Sequence, residues 1–181
     1  MRTPITLICF CLVLAVAGCR PARAEKPIEP VTEVDLSRYM GRWYVIASIP
    51  TRFERNAYDA VEIYRREPDG DIDTSFHFRR DGFEGPVKTI HSTATVVPGT
   101  GNGEWKVHLF RVLRAQYIVG WLAPDYGQVI VARDARDYVW LMARTPQISA
   151  SDYRAMLARV RAMGYDLRKL RKVPQQGALR R

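Results

Sequence analysis

Residues 115–144 read AQYIVGWLAPDYGQVIVARDARDYVWLMAR, and this stretch contains three strand-like segments separated by turn residues. The segments lie near 115–123, 126–133 and 137–144, and each is rich in β-branched and aromatic residues. Pro124 and Asp125 provide the turn chemistry between the first two. Residues 117–122 are apolar at both alternating sets of positions, so this strand needs cover on both of its faces.

Five more segments of the same character precede this stretch. They lie near 42–49, 57–66, 71–80, 87–97 and 104–111. The breaks between them carry turn residues, such as Pro68-Asp69-Gly70 and Asp81-Gly82. Short strands in close succession favour an antiparallel sandwich or barrel over alternating strands and helices. The sequence therefore predicts an all-β fold.

One helix is predicted after the last strand. Ser149 or Ser151 suits its N-cap, and Gly164 suits its end. Apolar residues recur between these points at spacings of three and four and form a single stripe: Tyr153, Met156, Leu157, Val160 and Met163. Such a stripe fits a membrane-surface helix or a helix docked on the sheet, and docking covers the strands that are apolar on both faces.

Composition and charge exclude several classes of protein. The chain has 181 residues, of which 47% are hydrophobic and 26% charged, which is typical of a globular domain. Its three cysteines, Cys9, Cys11 and Cys19, all lie in the first nineteen residues. A disulfide framework or a cysteine zinc site is therefore excluded for the rest of the chain. The formal net charge of +9 permits anionic partners without identifying one.

The N-terminus has the pattern of an export signal. Met1-Arg2 is positive, and residues 5–17 are almost continuously apolar over a length too short for a comfortable membrane span. Val16-Ala17-Gly18-Cys19 then resembles the bacterial lipobox, which implies cleavage before Cys19 and acylation of that cysteine. Ala22-Arg23-Ala24 offers an alternative cleavage site before Glu25, which would release a soluble periplasmic protein.

These features divide the chain into four parts. Residues 1–18 are predicted to be a lipoprotein signal peptide, 19–34 the lipidated cysteine with an extended tether, 35–175 the barrel with its helix, and 176–181 a basic tail. Prolines in the second part favour an extended conformation. In the basic C-terminal region, Leu167, Leu170 and Val173 interleave with basic residues that begin at Arg168. The region therefore fits a solvated tail, a partly docked segment, or a segment attracted to anionic lipid head groups.

Three short motifs resemble those of the lipocalin family. Gly41, Trp43 and Tyr44 open the first strand behind a short helical turn, Asp125 and Tyr126 approximate the second motif, and Arg144 ends the last strand. Residues 34–44, 52–55 and 144–146 resemble the bacterial branch in particular, which is similar to apolipoprotein D and to plant temperature-induced lipocalins. The resemblance implies an eight-stranded antiparallel up-and-down barrel with one C-terminal helix packed on the outside.

The motif residues are expected to be structural. Trp43 can close one end of a barrel with its large apolar face. Arg144 can lay its guanidinium over that indole and donate to carbonyls of the entry turn. We therefore do not expect them to contact a ligand.

The resemblance implies a lipid-binding outer-membrane lipoprotein, anchored through Cys19 and facing the periplasm. It would bind a fatty acid or lysophospholipid for storage or transport, as a monomer or weak dimer and without a cofactor. Apolar and aromatic residues of the strands are the candidates for the cavity wall. They are Phe76, Phe78, His108, Phe110, Tyr117, Trp121 and Trp140. Each of them could instead face outward, because strand register is not fixed by the sequence.

Other functions have weaker support. No nucleophile elbow, phosphate loop or dinucleotide motif is present, so we expect no enzyme activity, although a lipid esterase on the same barrel is an alternative. A filled barrel that serves as an envelope interaction module is another. His77, His91 and His108 lie on three predicted strands and are better explained as surface residues than as metal ligands. The export signal argues against a nucleic-acid partner.

Overall fold

The computed structural model of the protein describes residues 26–109 and 113–176. A short helix precedes eight strands, and a longer helix and one further short strand follow them. The helices are α1 (Leu36–Tyr39) and α2 (Ala150–Ala162). The strands are β1 (Gly41–Ile49), β2 (Ala57–Arg66), β3 (Ile72–Arg80), β4 (Val87–Val96), β5 (Glu104–Leu109), β6 (Leu113–Leu122), β7 (Gln128–Ala132), β8 (Val139–Ala143) and β9 (Arg171–Lys172). None of the helices in the described ranges is both long and apolar enough to cross a membrane.

Strands β1 to β8 form a closed antiparallel barrel. Each strand pairs with the next one in sequence, and β1 pairs with both β2 and β8, which closes the sheet. The fold class predicted from the sequence is confirmed, and the predicted strand bounds differ from the observed ones by no more than two residues. The turn residues between the strands account for this agreement, because they end each extended run at a defined point.

The alternation of side chains along the strands produces two separate apolar clusters. One cluster lies inside the barrel and includes Trp43, Phe76 and Trp105. The other lies between the barrel and α2, and it includes Ile130 and Leu141 from the strands. A closed barrel with a docked helix therefore buries both faces of β7 and β8, which explains why those strands are apolar throughout.

Helix α2 covers the outside of the barrel. The Ser149 side chain accepts a hydrogen bond from the amide of Asp152 and caps the helix, so the first of the two predicted caps is the one used. Met156 and Val160 are fully buried against the sheet. Gly120 lies under the end of the helix, and a Cβ there would come within 3.3 Å of the sulfur of Met163. The absence of a side chain at Gly120 thus allows the helix to approach the sheet.

The segment before α1 is extended, as the sequence predicts, but it is docked rather than free where the structure describes it. Ile28 is buried, and the amide of Val31 donates a 2.9 Å hydrogen bond to the carbonyl of Val119. A Cβ on Gly101, where φ is +57°, would clash with the carbonyl of Thr32. Residues 26–34 are therefore part of the packed domain.

The C-terminal segment fills a gap in the barrel wall. Strands β1 and β2 pair only through Gly41–Tyr44, and they separate beyond that point. Residues 171–176, named here the seam segment, enter the gap. There β9 pairs with Ala47 and Ser48, and the amide of Asp59 donates to the carbonyl of Pro174 over 2.9 Å. Of the alternatives for the basic C-terminal region, the docked segment is observed as far as residue 176; residues 177–181 lie outside the described range.

Candidate functional site

The end of the barrel next to α1 is closed by an aromatic floor. Trp43 is fully buried and its Nε1 donates a 2.9 Å hydrogen bond to the carbonyl of Tyr39. The guanidinium carbon of Arg144 lies 3.8 Å from the centre of the Trp43 ring. Its Nη1 donates to the carbonyl of Arg42 over 2.7 Å, and Nη2 donates to the carbonyls of Arg38 and Tyr39. Both residues thus act within the fold, and the contact between them lies where the sequence predicts it.

Above this floor, three tyrosine hydroxyl groups form a chain. The hydroxyl of Tyr117 lies 2.7 Å from that of Tyr39 and donates to that of Tyr64 over 3.0 Å. Burial raises the pKa of all three phenols, so they are neutral hydrogen-bonding groups at any physiological pH. Trp105 stacks on Tyr117 with ring centres 4.4 Å apart. These contacts set the lower limit of the open interior.

A cavity of about 460 Å³ occupies the interior above the floor. Apolar and aromatic side chains from several strands make up most of its wall, including Phe76, Ile90, Trp105, Val107, Leu109, Tyr117, Trp140 and Met142. The lining also includes three arginines, Arg52, Arg114 and Arg133, which all lie at the end of the barrel opposite α1. The cavity is therefore apolar inside and basic at the end away from the floor.

Three carboxyl groups also line the cavity: Asp137, which pairs with Arg133 over 3.0 Å, and the glutamates Glu62 and Glu54. Glu62 projects from β2, and one of its oxygens, Oε2, is buried without a hydrogen bond from any described residue. Burial, and to a lesser extent the charge of Glu54, raises the pKa of Glu62 to about 8. Glu54 follows β1 and accepts hydrogen bonds from Trp140 and Thr51, both of 3.0 Å. Burial raises the pKa of Glu54 as well, while these hydrogen bonds oppose the shift.

Three of the predicted cavity residues line the cavity. They are Phe76, Tyr117 and Trp140. Phe78 stacks on Phe76 at 5.0 Å and belongs to the internal cluster, but it does not line the cavity. Phe110 lies outside the described residues. That any of these side chains contacts a ligand stays a prediction.

The positions predicted for His108 and Trp121 are wrong. In β5 it is Trp105, Val107 and Leu109 that face the cavity, so His108 lies on the outer face. In β6 the register shifts between Val119 and Trp121, and this bulge turns Trp121 outward, where it packs in the cluster beneath α2. The sequence alternation suggested a common face for Tyr117 and Trp121, and the bulge between them breaks that alternation.

The two glutamates are among the polar lining groups that the sequence analysis missed; the others include Thr51, Thr74, Ser92, Gln116 and Asp137. Glu62 lies on the same face of β2 as Ala60 and Tyr64, because the three residues are spaced by two. This spacing was the signal in the sequence that could have identified Glu62. Glu54 lies in a loop, where no periodic pattern indicates which side chains turn inward. Among the described residues, no group of three or more His, Cys, Asp or Glu is placed to hold a metal ion.

The remaining motif residues lie at the ends of strands. Asp125 accepts a hydrogen bond from the amide of Gly127 and shapes the turn before β7. The hydroxyl of Tyr126 accepts from the amide of Asp35, and the guanidinium of Arg38 lies 4.0 Å from its ring centre. Tyr44 is half-buried, next to the internal residue Trp43. Cys19 lies outside the described residues.

A closed eight-stranded barrel with an apolar cavity, an indole floor and one external helix defines a protein that binds small hydrophobic molecules. The chain belongs to the lipocalin family: the model of the lipocalin-like domain matches residues 34–175. Members of this family are generally ligand-binding proteins without enzyme activity.

Relatives in plants and bacteria match most of the chain. It is 31% identical to temperature-induced lipocalin-1 of Arabidopsis thaliana over 159 residues, which cover 83% of this chain and 84% of the plant protein. It is 29% identical to the outer membrane lipoprotein Blc of Escherichia coli K12 over 164 residues, or 90% and 92% of the two chains. The Blc protein of Vibrio cholerae is 27% identical and matches 97% of this chain and all of its own length.

Solved structures support the same fold. Insecticyanin from the tobacco hornworm superimposes with a TM-score of 0.64 at 17% identity, over 83% of this chain and 86% of that one. Lobster apocrustacyanin A1 superimposes with a TM-score of 0.62 at 10% identity, over 88% and 95% of the two chains. At such low identity these likenesses concern the fold alone.

Proposed function

We propose that this protein is an outer-membrane lipoprotein that binds a fatty acid or lysophospholipid in its barrel for storage or transport in the cell envelope. The observation that carries the proposal is a cavity of about 460 Å³ surrounded by apolar and aromatic side chains inside a closed barrel. Ligand pockets in proteins commonly measure about 300 to 1,000 Å³. The protein would act by binding alone, with no bond made or broken.

The distribution of side chains fits an anionic amphiphile. An alkyl chain that enters the apolar interior gains about 0.8 kcal/mol for each methylene group removed from water. Its carboxylate or phosphate would remain at the end of the barrel that carries Arg52, Arg114 and Arg133. Arg133 already pairs with Asp137 over 3.0 Å, so Arg52 and Arg114 are the better partners for the head group.

Location in the outer membrane is supported by sequence. Two relatives that match nearly the whole chain are named outer membrane lipoproteins. The lipobox-like residues 16–19 provide a site for acylation at Cys19, and two or more acyl chains give stable membrane attachment. We propose that the barrel, joined to this anchor by the segment before α1, faces the periplasm.

Binding is tested by displacement of a fluorescent fatty-acid probe from delipidated protein. Val107→Trp adds an indole to the cavity wall and should weaken probe binding about tenfold or more, because it removes volume that the chain occupies. The matched control is His108→Trp, which adds the same group at the next residue but on the outer face, and should leave affinity unchanged. Val107→Phe is a milder replacement if the tryptophan variant does not fold. No measurable probe binding by folded wild-type protein would refute the proposal.

The anchor is tested by fractionation and mass spectrometry of protein expressed in a Gram-negative bacterium. The mature N-terminus should be an acylated Cys19, and Cys19→Ser should move the protein out of the outer-membrane fraction. An unmodified N-terminus at Glu25 in the soluble periplasmic fraction would contradict the lipoprotein assignment. It would leave the binding proposal unaffected.

A further inference from the structure

The wall of the cavity contains a carboxyl group without a partner. Glu62 stands opposite Trp43 of β1 and opposite Phe76 of β3 in the strand register. It lines the cavity, its Oε2 is buried, and no described residue donates a hydrogen bond to that oxygen. A buried polar group without a partner costs about 1–3 kcal/mol, and a charged group costs more. A purely aliphatic ligand would leave this cost in place.

The charges around Glu62 favour a positively charged partner. Glu54, which lines the same cavity, adds a second acidic group whose charge repels that of Glu62. Both oxygens of Glu54 already accept hydrogen bonds, whereas no described residue donates one to the buried Oε2 of Glu62. The arginines of the lining lie at the end of the barrel opposite α1, and Arg144 is held beneath Trp43 by three backbone carbonyls. Among the cavity-lining residues that the structure describes, Glu62 therefore has no basic side chain beside it, whereas Glu54 lies with Arg52 at the end opposite α1.

The aromatic rings beside Glu62 act in the same direction. Phe76 stands opposite it on β3 and Tyr64 lies two residues further along β2, and both of these rings line the cavity. Trp43, opposite Glu62 on β1, is fully buried and already covered by Arg144. The face of an aromatic ring attracts a cation by about 0.5 kcal/mol when exposed and about 2 kcal/mol or more when desolvated. A neutral hydroxyl group on a ligand would gain one hydrogen bond to Glu62 but no charge attraction from the carboxylate or from these rings. The surroundings therefore distinguish a cation from a neutral polar group.

We propose that Glu62 is the anchoring residue for a protonated amine, and that the cavity takes apolar molecules that carry a single amino group as well as anionic lipids. The inference rests on the same cavity as the proposed function and adds a second class of ligand to it. The amine would form an ion pair with Glu62 beside the rings of Phe76 and Tyr64, which line the cavity, and its apolar body would fill the space toward the arginines. A carboxylate would be repelled from the same position.

The test compares three probes with the same alkyl chain: dodecylamine, dodecanol and dodecanoic acid. Their affinities for wild-type protein and for Glu62→Gln are measured by calorimetry below the micellar concentration. Glu62→Gln keeps the size of the side chain and removes its charge, so dodecylamine should bind about 30-fold more weakly, because loss of one partner of a buried ion pair is costly. Binding of dodecanol should change little. Glu67→Gln, an exposed position beyond the end of β2, is the matched control and should change neither.

The pH dependence gives a second readout that needs no variant. The titratable groups that face Glu62 are Glu54 from the loop after β1 and the phenols of Tyr39, Tyr64 and Tyr117, with Arg144 below Trp43. The phenols stay neutral because burial raises their pKa. Affinity for dodecylamine should rise between pH 6 and about 8.5 as Glu62 loses its proton, and Glu62→Gln should remove most of this rise. The same pH series measured with Glu54→Gln gives the contribution of Glu54 to the pH dependence of dodecylamine affinity.

Three outcomes would overturn the inference. One is equal affinity of wild-type protein and Glu62→Gln for dodecylamine. Another is tighter binding of dodecanol than of dodecylamine, with affinity that falls as pH rises, since Glu62 would then act as a neutral hydrogen-bond donor. The third is an absence of dodecylamine binding by folded wild-type protein. If dodecanoic acid still binds in any of these cases, the proposed binding of anionic lipids is not contradicted.

Discussion

Nε1 of Trp140 donates a 3.0 Å hydrogen bond to Oε2 of Glu54. This bond ties the loop after β1 to a side chain of β8 inside the barrel. Thr51 holds the other oxygen of the same carboxyl group, so the loop is fixed to the cavity wall at one residue. The part of the loop from Thr51 to Glu54 thereby becomes part of the cavity lining.

Replacement of Trp140 by phenylalanine should release this loop. The variant keeps an aromatic ring but leaves Oε2 of the buried Glu54 without its donor, so the free energy of unfolding should fall by about 1–3 kcal/mol. Urea unfolding measures the change. In a Glu54→Leu background the same replacement should have a much smaller effect. Equal effects in the two backgrounds would contradict a role for the hydrogen bond.

Arg144 should not be replaceable by lysine. A lysine at this position keeps the positive charge but loses the planar fork that reaches the carbonyls of Arg42 and Tyr39 while lying over Trp43. We expect Arg144→Lys to lower the free energy of unfolding by about 2–3 kcal/mol in chemical denaturation.

The protein offers a matched control for that variant. Arg159 of α2 is partly buried and also lies over a tryptophan, with its guanidinium carbon 4.3 Å from the ring centre of Trp121, but its guanidinium donates to the carbonyl of Ala155 within its own helix. Arg159→Lys should change stability by no more than about 0.5 kcal/mol. Similar losses in the two variants would show that the contact with the indole, rather than the carbonyl hydrogen bonds, governs the effect.

The seam segment should contribute to the stability of the barrel. The amide nitrogen of Gln175 donates to the carbonyl of Val45 over 2.8 Å and to that of Ala60 over 2.9 Å, which bridges β1 and β2 where they do not pair. Gln175→Ala should lower the thermal unfolding midpoint through a loss of about 1–3 kcal/mol, since two carbonyls lose their donor. Gln176→Ala is the control, because Gln176 uses only its backbone amide, which donates to Asp59. Equal loss in both variants would refute the bridging role.

Stability should fall as pH rises toward the pKa of Glu62. Burial raises that pKa from the ordinary value of 4.5 to about 8, so the folded protein binds more protons than the unfolded chain between these values. The contribution of Glu62 to the free energy of unfolding is therefore fully present below pH 4.5 and is lost as pH rises to about 8. The upper limit of this loss is about 1.4 kcal/mol for each unit by which the pKa is raised. Glu54 acts in the same direction.

Denaturant unfolding between pH 5 and 8.5 measures this dependence. Glu62→Gln should make the free energy of unfolding less dependent on pH. Relative to wild-type protein, the variant should be most stable at the alkaline end, where the wild-type protein must carry a buried charge. Wild-type stability that stays constant or increases over this range would contradict the raised pKa.

The sequence predicted much of the fold because its local signals agree. Turn residues separate runs of β-branched and aromatic residues, and the helix stripe begins directly after a suitable cap at Ser149. The contact of Arg144 with Trp43 was also predictable, since both residues lie in recognisable motifs at the ends of strands. The cavity wall was less accessible to prediction. The bulge between Val119 and Trp121 inverts the face of every residue beyond it, and no turn residue marks that point except Gly120.

The amino-acid sequence by itself determined the order and type of the eight barrel strands and of α2, because spacing, turn chemistry and apolar periodicity are local properties. Only the tertiary structure decided which side chains surround the cavity, that Glu62 is enclosed there without a partner, and that residues 171–176 fill the gap between β1 and β2. Each of these depends on strand register and on contacts between residues far apart in the chain. The alternation of side chains within one strand indicates which residues share a face, but the closure of the barrel determines which face is inside.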